Sequence, residues 1–154
     1  MTTYTNADGL LLRFGTSRSE VAGDGSSLAD EKTLVVKITG GTTIDLADIN
    51  GDRPSIPAGA IVTDALLVAD TAWTGTGTLT IGLGNSAGSA IDANGIDDAI
   101  DVDAALAAAG DVVACDGALV DKTATIGSAA GWVYTTESGT VAGTATLHLK
   151  YIAG

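Results

Sequence analysis

Between Ile56 and Gly84 the chain reads IPAGAIVTDALLVADTAWTGTGTLTIGLG, its longest stretch of organised hydrophobic pattern. From Thr78 to Gly84, Leu79, Ile81 and Leu83 alternate with Thr78, Thr80 and Gly82, the period-2 signature of a strand with one dry face. Ala60 to Trp73 is apolar on both parities and broken only by Asp64 and Asp70, which predicts a long strand covered on both faces and bulged. A helix is the rival reading of Ala60–Ala72, but that stretch lacks an amphipathic stripe and follows a turn signal, Ile56-Pro57-Ala58-Gly59. With Thr74-Gly75-Thr76-Gly77 between the two halves, the pattern predicts a β-hairpin.

The same alternation recurs on either side. Gly9–Gly15 (GLLLRFG) reads as a short strand, and Met1–Ala7 before it shows no periodicity and reads as an arm. Thr16–Ser27 reads as a loop, with Ser17 or Ser19 as a cap for one helical turn and a turn at Asp24-Gly25. Lys32–Thr39 places Leu34, Val36 and Ile38 inward and Val35 and Lys37 outward; a shorter strand at Thr43–Leu46 follows Gly40-Gly41, and Ala47–Ser55 is a connection. After Gly84 the chain turns Asp-rich and reads as an acidic loop, with one helix expected at Asp103–Ala109, capped by Asp101 or Asp103 and stopped by Gly110. Val112–Ala114, Ala118–Ile126 and Gly131–Thr136 are expected strands. The last strand has Ala145, Leu147, Leu149 and Tyr151 on one face and Thr144, Thr146, His148 and Lys150 on the other.

Many short strands at turn-punctuated spacing and no internal repeat predict an all-β fold. The expectation is a jelly-roll-like antiparallel β-sandwich with an extended N-terminal arm and at most one short helix, an Ig-like sandwich being the alternative. The 154 residues suffice for one core. The division expected is residues 1–20 as arm and first strand, and residues 21–154 as a single sandwich domain.

Charge narrows the partners. With 7 basic and 19 acidic residues the net charge is −12, which argues against nucleic acid, because phosphate contact needs clustered Lys and Arg. Five of the basic residues precede Pro54, which reads first as ordinary scatter and alternatively as an end that touches an acidic or mixed partner surface. No apolar run reaches the ~20 residues of a membrane span. A single Cys115 and no leader-like segment at Met1–Asp8 predict maturation in a cytosol.

Candidate chemistry is thin. Gly82-Leu83-Gly84-Asn85-Ser86-Ala87 fits the letters of a dinucleotide fingerprint, but no helical pattern follows it to aim an N-terminus at a pyrophosphate. Asp92, Asn94, Asp97, Asp98, Asp101 and Asp103 could hold a hard cation, yet the spacing is not that of an EF-hand. The sole histidine, His148, has no sequence-adjacent carboxylate or thiol, and Cys115 reads as apolar filler. One Cys and one His leave no zinc set. Trp73, Trp132, Tyr134 and Tyr151 could form a sugar-stacking platform, though their parity with apolar neighbours favours packing. The expectation is a non-enzyme with no cofactor and no metal.

Three segments, YTNADGLLLRFGTSRSEVA at Tyr4–Ala22, IPAGAIVTDALLVADTAWTGTGTLTIGLGN at Ile56–Asn85 and GTATLHLKYIAG at Gly143–Gly154, resemble small structural proteins of tailed bacteriophages, especially capsid decoration (cement) proteins of podovirus-like phages. Residues Ser86–Thr140 match loosely. The resemblance implies a sandwich, commonly trimeric, that is made in the host cytoplasm and binds the outer surface of an icosahedral head, with the major capsid protein as partner. The residues expected to contact the capsid are Leu10, Leu12, Arg13, Phe14 and Arg18. A carbohydrate-binding head or tail fibre module is the alternative.

Overall fold

The computed structural model describes residues 2–5, 11–14, 31–46, 53–122 and 124–153. Its strands are β1 (Thr2–Thr5), β2 (Leu11–Phe14), β3 (Glu31–Thr39), β4 (Ile61–Ala69), β5 (Thr74–Gly75), β6 (Thr78–Gly84), β7 (Ala90–Asp101), β8 (Val112–Ala114), β9 (Trp132–Ser138), β10 (Val141–Ala142) and β11 (Thr144–Ile152). A four-stranded sheet runs β3-β11-β4-β8 and a three-stranded one β7-β6-β9. Small pairs β5-β10 and β1-β2 complete the set. Within the two larger sheets only β6 and β7 are consecutive along the chain, and every pairing is antiparallel. This is the all-β sandwich that the alternation predicts.

The dry face of each regular strand is the one its sequence announces. Leu34 and Ile38 of β3, Leu67 and Ala69 of β4, and Ala145, Leu147 and Leu149 of β11 are buried from one side. Leu79, Ile81 and Leu83 of β6 are buried from the other, and all belong to a single core. Removing each Leu or Ile side chain from water stabilises the fold by roughly 1.5–3 kcal/mol before entropy is counted. In β4 the inward set changes parity, from Val62 to Ala65 and Leu67. The register with β11 shifts there, Lys150 facing Asp64 but Tyr151 facing Val62, so Thr63 is the extra residue of the expected bulge.

The expected hairpin of β4 and β6 is not formed. The two strands lie in different sheets and face each other across the core. Alternation shows which face of a strand is dry but not which strand lies beside it. The crossing is made at Trp73, whose amide donates to the Leu106 carbonyl at 2.8 Å and whose ring lies against the backbone at Gly40 and Gly143. Just beyond, Gly75 has a φ of 118°, and a Cβ there would collide with the Thr140 carbonyl, so only glycine permits the β5-β10 rung.

Four other expectations are corrected. The Asp-rich stretch is not a loop but the twelve-residue strand β7. Its register against β6 shifts three times, Ile81 facing Asp97 while Leu83 faces Asp92, and these bulges hide the period by burying Gly95, Ile96 and Asp97 in succession. The helix is shorter and earlier than expected: α1 (Val102–Ala105) is capped by Asp101, whose Oδ1 accepts from the Ala104 amide at 3.4 Å. It ends because Leu106 is drawn into the core and its carbonyl is taken by Trp73. Among the described residues of Ala118–Ile126 there is no strand: Ala118–Asp121 is a turn with one parallel bridge, Val120 to Val62, since Gly117 and Leu119 donate to the bulged β7 at Ile96 and Gly95. Thr43–Leu46 is likewise not a strand. Ile44 instead holds β9, donating to Thr135 Oγ1 at 2.9 Å and accepting from the Thr135 amide at 3.1 Å.

At the N-terminal end, Thr2–Thr5 is not patternless chain but pairs antiparallel with Leu11–Phe14. The loop read at Thr16–Ser27, with its caps, lies outside the described residues, as does most of the Ala47–Ser55 connection.

The Trp73 corner sets a stability test. Trp73→Ala is expected to cost about 3–5 kcal/mol and to lower the melting temperature by roughly 10 °C. Trp73→Phe keeps most of the ring and removes an indole N–H that has no hydrogen-bond partner among the described residues, so a clearly smaller loss is expected. Thermal denaturation followed by circular dichroism checks both.

Candidate interaction surfaces

Of the residues expected to meet a partner, Leu12, Arg13 and Phe14 fall in β2, opposite Tyr4, Thr3 and Thr2. Leu10 and Arg18 lie outside the described residues.

The outer face of the four-stranded sheet is more apolar than alternation suggests. Register places Val35, His148, Leu66 and Ala114 in one row and Lys37, Thr146, Val68 and Val112 in the next. Directly opposed residues share a face. Val35 and Val112 are 51% and 55% exposed, so an apolar band crosses the sheet with His148 inside it. The following row carries Lys150, 3.5 Å from Asp64 with both side chains well exposed, an ion pair worth ~1 kcal/mol at most. β3 supplies one of these apolar residues, β4 and β8 two each and β11 none, so no single strand's pattern reveals the band.

A cleft of about 300 Å³ opens where the edge strand of one sheet, β3, meets the edge strand of the other, β9. Val36, Ile44, Trp132 and Val133 give it apolar walls, and the exposed Lys37 and Arg53 also line it. Trp132 Nε1 donates to the Arg53 carbonyl at 3.1 Å and fixes the indole as one wall. Trp132 and Tyr134 stand on the outer side of β9, opposite Gly84 and Gly82 of β6. Gly82 has no room for a Cβ because the carbonyls of Asp92 and Ala93 in the β7 bulge press on it. Trp73 and Tyr134 are buried, so the four aromatic residues form no shared platform for a sugar.

The chemically versatile side chains are kept apart. His148 has Val35 and Leu66 as its cross-strand neighbours on the outer face of β11. Cys115 is buried beneath β4, its amide bonded to Ala65. Its thiol donates to Asp97, and burial first, then the Asp97 charge, push its pKa up to about 12, so it is a thiol and not a nucleophilic thiolate at neutral pH. Gly82–Ala87 leads from β6 through a turn held by Asn85 Oδ1 into strand β7, where a dinucleotide site needs a helix. Among the described residues no group of three or more His, Cys, Asp or Glu side chains is placed to hold a metal ion, and no helix is long and apolar enough to cross a membrane.

Among the described residues Asp97 is the one carboxylate drawn into the interior, 6% exposed. Burial raises its pKa above the usual 3.8; the Cys115 thiol and the amides of Asp98 and Asp116 oppose that shift, and the Asp116 charge adds to it. A raised native pKa means the folded state holds this proton to higher pH than the unfolded chain, so stability is lost as pH rises from about 4 through the native value. For Asp97→Asn, the melting temperature relative to the unsubstituted protein is therefore expected to be more favourable at pH 7 than at pH 4. Parallel melts at the two pH values check this, and a flat or opposite difference refutes it.

No protein-family model matches the chain, and no curated protein matches it. Among solved structures it is similar to a chain in the capsid of Ralstonia phage GP4, with a TM-score of 0.52 and 19% identity over 81% of this chain and 85% of that one. It is also similar to a chain of the cyanophage Pam1 capsid asymmetric unit, with a TM-score of 0.50 and 20% identity, covering 100% of both chains. The chain thus shares its sandwich fold with chains found in two phage capsids.

Proposed function

We propose that this chain is a structural virion protein that binds the outer surface of a phage capsid and stabilises the shell by bridging neighbouring coat subunits. The observation that carries this reading is the fold likeness to capsid chains, which extends in one case over the full length of both molecules. The interior supports it: the sheets spend their inward faces on one another, and His148 stands on the outer face, away from the buried Cys115–Asp97 pair. Such a molecule offers area instead of turnover.

In this role the protein is made in the host cytoplasm and acts on the virion as a homotrimer, without nucleic acid or membrane. Each contact with the coat can be weak, because a symmetric trimer engages several sites at once and gains by effective concentration. Residues 1–20 form the partner-contacting part, with Leu10, Leu12, Arg13, Phe14 and Arg18 as the contacts. The β1-β2 pair brings strand edges to which a coat strand can add, and the two arginines meet coat carboxylates. The acidic remainder of a chain with net charge −12 faces solvent and keeps particles apart.

Particles purified with and without this protein test the reading by electron microscopy. Symmetry-related density on the outer shell, together with disruption at lower temperature when the protein is missing, is expected; density confined to the tail or the interior overturns it. Deletion of residues 1–18 is expected to abolish particle binding while the circular dichroism spectrum and melting of the sandwich persist. Undiminished binding removes the arm from the interface.

A further inference from the structure

The seam between β3 and β9 is unequally finished. Beside β9, Ile44 exchanges two hydrogen bonds with Thr135. β3 pairs with β11 on one side over nine residues. Among the described residues its other side carries only the Thr39–Thr42 bridge. A long unpaired edge is a template for an added strand, and folds that leave one open generally block it with a bulge, a proline or a covering segment. β3 is regular against β11 and contains no proline.

The cleft beside this edge specifies what can be added. Its walls at Val36, Ile44, Trp132 and Val133 accept an apolar side chain, and Lys37 and Arg53 bring two positive charges to it. Neither cation forms an ion pair among the described residues. In a chain of net charge −12, two cations with no ion pair among the described residues beside an apolar cleft mark the place where a carboxylate is attracted. A second copy of this chain meeting the cleft face to face fits poorly, since it brings the same two cations to the contact.

We infer that β3 receives an extended segment of the coat protein as an added antiparallel or parallel strand, with one apolar side chain in the Trp132 cleft and a neighbouring carboxylate against Lys37 and Arg53. Main-chain bonds along β3 give the affinity, and the cleft gives the selectivity. That the donor is the coat protein rests on the function proposed above; the chemistry of the segment does not.

The test uses the full-length protein and two synthetic peptides of about nine residues, matched to the length of β3. One has a central valine flanked by glutamates, the other the same valine flanked by lysines. The glutamate peptide is expected to bind roughly ten-fold more tightly, to slow amide exchange along β3 and to change Trp132 fluorescence. Lys37→Glu with Arg53→Glu, shown folded by near-ultraviolet circular dichroism, is expected to reverse the preference. Equal binding of the two peptides, or no added protection of β3, overturns the inference. So does sedimentation as a dimer with β3 already protected before any peptide is added. Competition by peptides tiling the coat protein of the same particle supports the coat assignment, and its absence overturns that assignment alone. Particle imaging decides the capsid reading independently.

Discussion

Everything in the sandwich depends on β11 being hydrogen-bonded on both sides while its inward row is dry. The strand lies between β3 and β4, pairs with both along nearly its whole length, and presents Ala145, Leu147 and Leu149 to the core. A β-strand satisfies its backbone only through neighbours, and β3 and β4 do not pair with each other. The four-stranded sheet therefore closes only when the last strand in the chain is in place, and the second sheet has no complete surface to pack on until then. The cost is loop closure over long separations. The return is a core in which chain-distant strands hold one another.

Where the packing is irregular, polar groups enter. The bulges of β7 turn Ile96 and Asp97 to the interior together. A carboxylate in that position is tolerated because a thiol and two backbone amides point at it, replacing water with fixed donors. The same pairing keeps Cys115 protonated and inert. The acidic residues that read as a ligand set are divided between an outward majority and this one satisfied inward member.

The outer skin follows another logic. Acidic residues dominate the surface, yet an apolar band crosses the four-stranded sheet and an apolar cleft with two cations sits at its β3 edge. A rigid scaffold with its interior fully committed can present such features at fixed spacing, which is what repeated docking on a symmetric shell requires. Fold likeness alone does not confer a function. The weight of the functional reading falls on that likeness together with these surfaces and the separation of His148 from Cys115.

The chain's own pattern was enough to identify the regular strands. Alternation in β3, β6 and β11 marks strands directly, and it names the buried faces at Leu34, Ile38, Leu79, Ile81, Leu83, Leu147 and Leu149, because side chains on a pleated backbone must alternate. The double-sided apolar character of β4 likewise announced its bulge. Partner choice was decided only by the tertiary structure. The stretch from Ala60 to Gly84 reads as a hairpin because adjacency along the chain is the only neighbour information a sequence carries, yet the buried Trp73 and the tight approach at Gly75 send its halves to opposite sheets. β7 was illegible because its bulges break the period, and the cleft because its walls come from β3, Ile44, Arg53 and β9, which no local pattern brings together.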